Sequence, residues 1–249
     1  MERIRKEEAL QPYFKMLELI REAQAGLKNL GLKEGMDLDK VLKEKGNAGD
    51  KSPIMRSLRP EDFDLNEFAR FYETVTKKLS EVGLLEEVPP LENPEELISR
   101  RLRGESIDPL IDNVVDGFLQ PLARHIASKV ELKDLASWKK QECYVCGRKP
   151  FLALKREEDI WRFKCTFCGL EIPFDALKCP YCGNDDFKKI KILRVEGRKG
   201  VEITYCENCG RYYKMVYPDE IEIPEGLEDI YTIDLDALAK QRGLVRIDE

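Results

Sequence analysis

The chain has 249 residues, 42% of them hydrophobic and 36% charged, with a net charge of −6 and a pI near 5.3. That is enough apolar material for a packed core and too much length for a lone metal ribbon, so a globular protein of more than one domain is expected. The acidity argues against a strong nucleic-acid footprint, and no apolar run approaches the length of a membrane span.

The opening Met1-Glu2-Arg3-Ile4-Arg5 lacks the apolar core of a signal peptide, which points to the cytoplasm. From Leu10 the apolar positions Leu10, Phe14, Leu17, Ile20, Leu27 and Leu30 share one helix face, and Gly31 is a natural stop. Glycines and prolines then predict a loop over residues 31–60, centred on Gly46-Asn47-Ala48-Gly49 and Lys51-Ser52-Pro53, with one short helix near Asp39 to Lys45. Asp64 followed by Glu67 predicts a capping box, and Phe68, Phe71, Tyr72, Val75, Leu79 and Val82 continue as an amphipathic face as far as Gly83. Pro94-Glu95-Glu96 reads as a first helical turn. A long helix is expected from Pro109 to Trp138, kinked at Pro121 because proline removes a backbone bond.

After Glu142 the pattern changes to short alternating strands, such as Phe151 to Leu154, Trp161 to Lys164, Ile190 to Val195 and Val201 to Tyr205. The tail is expected to hold a strand near Ile230 to Ile233 and a helix from Asp234 to Arg242. Its acids Asp219, Glu220, Glu222, Glu225, Glu228 and Asp229 read as a solvated surface. The fold class is therefore α+β and multidomain. A helical bundle fills residues 1–140, a first four-cysteine metal module 141–177, and a second module with the acidic tail 178–249.

All eight cysteines stand in C-x-x-C-G turns: Cys143 and Cys146, Cys165 and Cys168, Cys179 and Cys182, Cys206 and Cys209. Two intervening residues let both sulfurs face one ion, and the glycine suits the positive φ that closes the curl. Its amide is expected to turn towards a thiolate and steady the charge. In a reducing compartment such pairs indicate metal rather than disulfides. The spacings favour joining the first pair with the second and the third with the fourth, with a crossed arrangement as the alternative. The sole histidine, His125, falls on a helix and is expected to be an ordinary helix residue.

Sites of four sulfurs suit zinc or iron and leave no open coordination position, so the chain is not expected to be an enzyme. Residues 143–217 carry a local charge of +5 by sequence. Two divalent ions, each in four thiolates, add about −2 apiece and nearly cancel it. The aromatics Trp161, Phe163, Phe167, Phe174, Tyr181, Tyr205, Tyr212, Tyr213 and Tyr217 are expected to fill small cores beneath the turns; stacking on nucleic-acid bases is the alternative.

A helical half followed by these turns resembles the formate dehydrogenase accessory protein family, FdhE. The likeness rests on Cys143-Tyr-Val-Cys146-Gly147-Arg-Lys-Pro150, on Arg162-Phe-Lys-Cys165-Thr-Phe-Cys168-Gly169 with Lys178-Cys179-Pro-Tyr-Cys182-Gly183, on Cys206-Glu-Asn-Cys209-Gly210-Arg-Tyr-Tyr-Lys214, and on 227–239. Phe174 departs from it, standing where a tryptophan is expected. The resemblance implies a cytoplasmic maturation factor that contacts the molybdenum- or tungsten-bearing catalytic subunit of formate dehydrogenase without joining the finished enzyme. It also implies rubredoxin-like turns, and hence iron ahead of zinc. A nucleic-acid-binding zinc ribbon and a rubredoxin-like electron carrier are the rival functions.

Overall fold

The computed structural model describes residues 2–47, 52–135, 138, 140–156 and 160–247. The chain divides into two compact units, Met1–His125 and Ile126–Glu249.

In the first unit α1 (Glu2–Gln24) buries Met16, Leu19 and Ile20. It stops before Leu27, short of the expected Gly31, because the Lys28 amide donates 2.7 Å to the buried carboxylate of Glu67. A 3-10 turn, Asn29–Gly31, follows. The Gly31 φ of +80° places a hypothetical Cβ 2.6 Å from the Phe118 ring, so only glycine fits there. The short helix is α2 (Leu38–Asn47), and the expected loop centre at residues 48–51 lies outside the described residues.

Asp64 caps α3 (Leu65–Glu81), accepting from the amides of Asn66 and Glu67. The expected reciprocal half of the capping box is absent. Glu67 is held by Lys28 instead, and the Asp64 amide donates to the Gly31 carbonyl at 3.0 Å. Asn93 caps α4 (Pro94–Arg103), which ends on Gly104 in the left-handed region.

The next helix, α5 (Pro109–Lys129), is shorter than expected; α6 (Leu132–Leu135) follows, and residues 136–137 lie outside the described residues. Proline at 121 withholds a bond from the carbonyl four residues earlier. That carbonyl, Gly117, accepts from Gln24 Nε2 at 2.7 Å, so α1 supplies the bond that α5 lacks. Gly117 also admits Ile20, whose Cγ2 lies 2.6 Å from where a Cβ would stand. The core closes on Phe118, with ring centroids 5.0 Å from Phe68, 5.7 Å from Phe71 and 6.2 Å from Phe63.

The second unit is built on one sheet of β1 (Leu152–Lys155), β2 (Trp161–Lys164), β3 (Glu171–Pro173), β4 (Ile190–Leu193), β5 (Val201–Cys206), β6 (Arg211–Val216) and β7 (Val245–Arg246). The order is β3-β2-β1-β6-β5-β4, with β7 pairing parallel to β6. The β1–β6 pair is also parallel and the remaining pairs are antiparallel. Alternation divides the sheet's residues between two cores. One face gathers Ala153, Phe163, Tyr213 and Met215 with Tyr181, Cys179 and Cys206. The other gathers Leu152, Leu154, Ile203, Tyr212 and Val216 with Leu235 and Ala239 of the tail. Phe163, Tyr181 and Tyr213 are buried and pack ring to ring, as expected of core aromatics.

The tail forms α7 (Glu228–Tyr231) and α8 (Ile233–Gln241), which corrects the strand expected near Ile230. Buried Thr232 donates its hydroxyl to the Glu228 carbonyl at 2.7 Å, a back-bond that satisfies a helical turn and has no place in a ladder. The tail is also more than a solvated surface. Lys164 on β2 and Lys214 on β6 both stand opposite Leu152 in register, on the face that the tail covers. Lys164 pairs with Glu228, while fully buried Lys214 pairs with Asp229 and, at 2.7 Å, with Asp236. The Tyr212 hydroxyl donates to the second oxygen of Asp236 at 2.7 Å. Burying a charge without a partner costs several kcal/mol, so these carboxylates are required by the lysines beneath them.

Candidate metal centres

The four turns repeat one local geometry. In the first three turns the amide of the first cysteine donates to the carbonyl just beyond the glycine: Cys143 to Arg148 O at 2.7 Å, Cys165 to Leu170 O at 2.9 Å and Cys179 to Asn184 O at 2.8 Å. The four glycines have φ of +75°, +78°, +72° and +69°, the left-handed conformation that the spacing predicts. Their amides do not face the thiolates, however. Those of Gly147, Gly169, Gly183 and Gly210 donate to the carbonyl of the first cysteine of their own turn, at 2.8–3.0 Å. The sulfur-facing amides come from neighbours: Tyr181 and Cys182 serve Cys179, Cys168 serves Cys165, and Asn184 and Arg211, one residue past their glycines, serve Cys182 and Cys209. The glycine makes the curl, and the curl delivers other amides.

The sheet brings the turns together in sequential pairs. Cys143, Cys146, Cys165 and Cys168 form one group and Cys179, Cys182, Cys206 and Cys209 the other, with the sulfurs of each within 4.8 Å of one another. In the first group Cys143 and Cys168 lie 3.4 Å apart, as do Cys146 and Cys165. In the second, Cys179 and Cys209 are 3.7 Å apart and Cys182 and Cys206 3.9 Å. A tetrahedral ion with metal–sulfur bonds of ~2.3 Å needs sulfurs ~3.8 Å apart, so both groups fit such an ion, the second with little change and the first with slight expansion. This donor set serves zinc and iron alike.

Electrostatics give the same answer. Burial and the neighbouring thiols push the Cys146 thiol well up, whereas hydrogen bonds from Cys143, Cys146 and Cys168 pull Cys165 well down. A bound cation lets all four ligate as thiolates.

The two groups differ in cover. In the first, three cysteines are buried and Cys146 is half-buried; in the second, Cys182 is exposed. Burial is the largest single influence on the Cys182 thiol and raises it, but the Asn208 side-chain amide 3.5 Å away, the Asn184 backbone amide and the neighbouring thiols together outweigh it, holding its pKa at about 6.

Sequence reasoning misses Asn208 and the two buried lysines. The signal for Lys214 lies in Arg211-Tyr-Tyr-Lys-Met-Val216: it shares its strand face with Tyr212 and Val216, an inward position for a cation that calls for acids elsewhere. His125 belongs to α5 and to neither cysteine group.

A helical unit joined to a mixed sheet that carries two four-sulfur groups defines a cysteine-rich protein able to hold two metal ions. The comparisons narrow this class. No family model matches the chain. A protein of Aquifex aeolicus described as an FdhE homolog is 26% identical over 206 residues, covering 77% of this chain and 72% of that protein. The crystal structure of the FdhE protein from Pseudomonas aeruginosa has the same fold, with a TM-score of 0.69 at 16% identity over 94% of this chain and 85% of that one. In sequence and in fold the chain is FdhE-like. Among the described residues no helix is long and apolar enough to cross a membrane.

Proposed function

We propose that the protein is a cytoplasmic maturation factor that binds the catalytic subunit of formate dehydrogenase and is needed to form active enzyme. The observation that carries this reading is the pair of four-cysteine groups set in a fold shared with FdhE. All eight cysteines hold metal, Cys143, Cys146, Cys165 and Cys168 in one site and Cys179, Cys182, Cys206 and Cys209 in the other. Four sulfurs fill a tetrahedral ion, so the sites hold a docking scaffold in shape and do no chemistry of their own. Iron is the metal favoured by the family likeness.

Joint expression with the catalytic subunit tests the function. Recovery of a complex, together with loss of dehydrogenase activity when the factor is omitted, is the expected result; no complex and unchanged activity refutes it. Metal analysis and a visible spectrum on protein prepared without air test the metal, because ferric iron in four thiolates is coloured and zinc is not. A colourless, zinc-loaded native protein overturns the iron assignment and removes the electron-carrier alternative.

A further inference from the structure

Among the described residues the three most exposed large apolar side chains are Leu177 at 67%, Phe187 at 61% and Ile192 at 55%. All fall within sixteen residues of sequence around the third cysteine turn, which carries the one exposed cysteine, Cys182. The structure ties this stretch to the second cysteine group. Phe187 opens a 3-10 turn, Phe187–Lys189, whose Lys189 carbonyl accepts from Glu207, between the two ligands of the fourth turn. The strand that follows, β4, starts with Ile190 in register with Cys206 and ends the sheet. Exposed apolar side chains beside an open strand edge mark a binding surface, because an edge offers unpaired amides and carbonyls to an incoming strand.

Charge selects the strand. Lys178, Lys188, Lys189 and Lys191 outnumber Asp185 and Asp186 in this stretch; Lys191 lies 3.9 Å from Glu207, and Lys188 and Lys189, which directly follow Phe187, are exposed. A second copy of the chain would set the same lysines against these, so self-pairing is disfavoured, while a segment alternating acidic and apolar residues satisfies both features at once. We infer that the β4 edge, with Phe187, Ile192 and Lys188, Lys189 and Lys191, is a docking site for an extended segment of alternating acidic and apolar residues in a partner protein. Within the maturation-factor reading, on which the identity of the partner rests, that segment belongs to the immature catalytic subunit.

Two measurements on the full metal-loaded chain test this. The first uses a fluorescein-labelled twelve-residue peptide of alternating Glu and Val, followed by anisotropy. It is expected to bind the wild type, to lose at least tenfold in affinity on F187D/I192D and on K188E/K189E/K191E, and to keep its affinity on V88D, a control at an exposed apolar position in the first unit. Metal content is measured in each variant, and two ions per chain are expected throughout. No binding of the peptide to the wild type, or equal binding to the edge variants, overturns the docking site. The second measurement repeats joint expression with the same variants, and the edge variants are expected to lose the catalytic subunit. Peptide binding without recovery of the subunit by the wild type refutes the maturation reading and leaves the edge site standing; recovery by the edge variants equal to wild type refutes the edge as the place where the subunit docks.

Discussion

Replacing Lys214 by methionine tests the tail's role most directly, since it keeps an apolar stem and removes the ammonium, which stands 5.7 Å from the Phe151 ring centroid. Lys214 Nζ is the shared partner of the Asp229 and Asp236 carboxylates and also donates to the Asp229 carbonyl at 3.1 Å. Removing one member of a buried ion pair costs about 3–5 kcal/mol. The carboxylates keep some contact with water, their side chains being 32% and 18% exposed, which places the cost at the lower end, about 3 kcal/mol. With a urea slope of about 2 kcal/mol/M, the unfolding midpoint falls by ~1.5 M. Tryptophan fluorescence is the appropriate probe, because both tryptophans, Trp138 and Trp161, belong to the second unit. Adding Asp236→Asn to the methionine variant is expected to recover part of the loss by removing a stranded charge. Metal loading is held constant throughout. A midpoint within ~0.3 M of wild type would show that the lysine is not carrying the tail and would refute the argument.

Gly117→Ala is expected to destabilise the first unit by ~1–2 kcal/mol, because the methyl group meets Ile20 Cγ2 at 2.6 Å and this overpacking exceeds the gain in helix propensity. In an Ile20→Ala background the same change is expected to become neutral or stabilising, as read by a circular-dichroism melt; a gain in the unmodified background sinks the packing argument. In metal-free protein Cys182 is expected to be the first cysteine alkylated by iodoacetamide at pH 7. Its thiolate is populated above about pH 6, so the rate should fall as the pH drops through that value. Peptide mass spectrometry reads the order, and prior labelling of Cys165 refutes it. With metal bound, a chelator is expected to empty the group containing exposed Cys182 before the buried first group, so that metal analysis of single-site serine variants shows faster loss when only the second group remains.

Much of the candidate site was legible in the chain because its geometry is local. A C-x-x-C-G turn closes within six residues, so the spacing alone predicts the curl, the positive φ of Gly147, Gly169, Gly183 and Gly210, and the approach of two sulfurs. Helix α3 and its Asp64 cap were equally legible, since the 3.6-residue period and the cap both act within one or two turns.

What failed was the identity of long-range partners. Glu67 stands where a capping box needs it, yet its carboxylate goes to Lys28, thirty-nine residues away, and that choice ends α1 early. The tail acids read as a solvated face because nothing near them in sequence demands a counter-charge. Only the β2-β1-β6 register places Lys164 and Lys214 beneath them. The sequence by itself determined the eight sulfurs, their turns and the helical half. The tertiary structure decided which turns form each four-sulfur group, which lysines need the tail, and that one cysteine group is more deeply buried while the other opens beside an edge strand, because burial and pairing between distant segments depend on how the sheet is assembled.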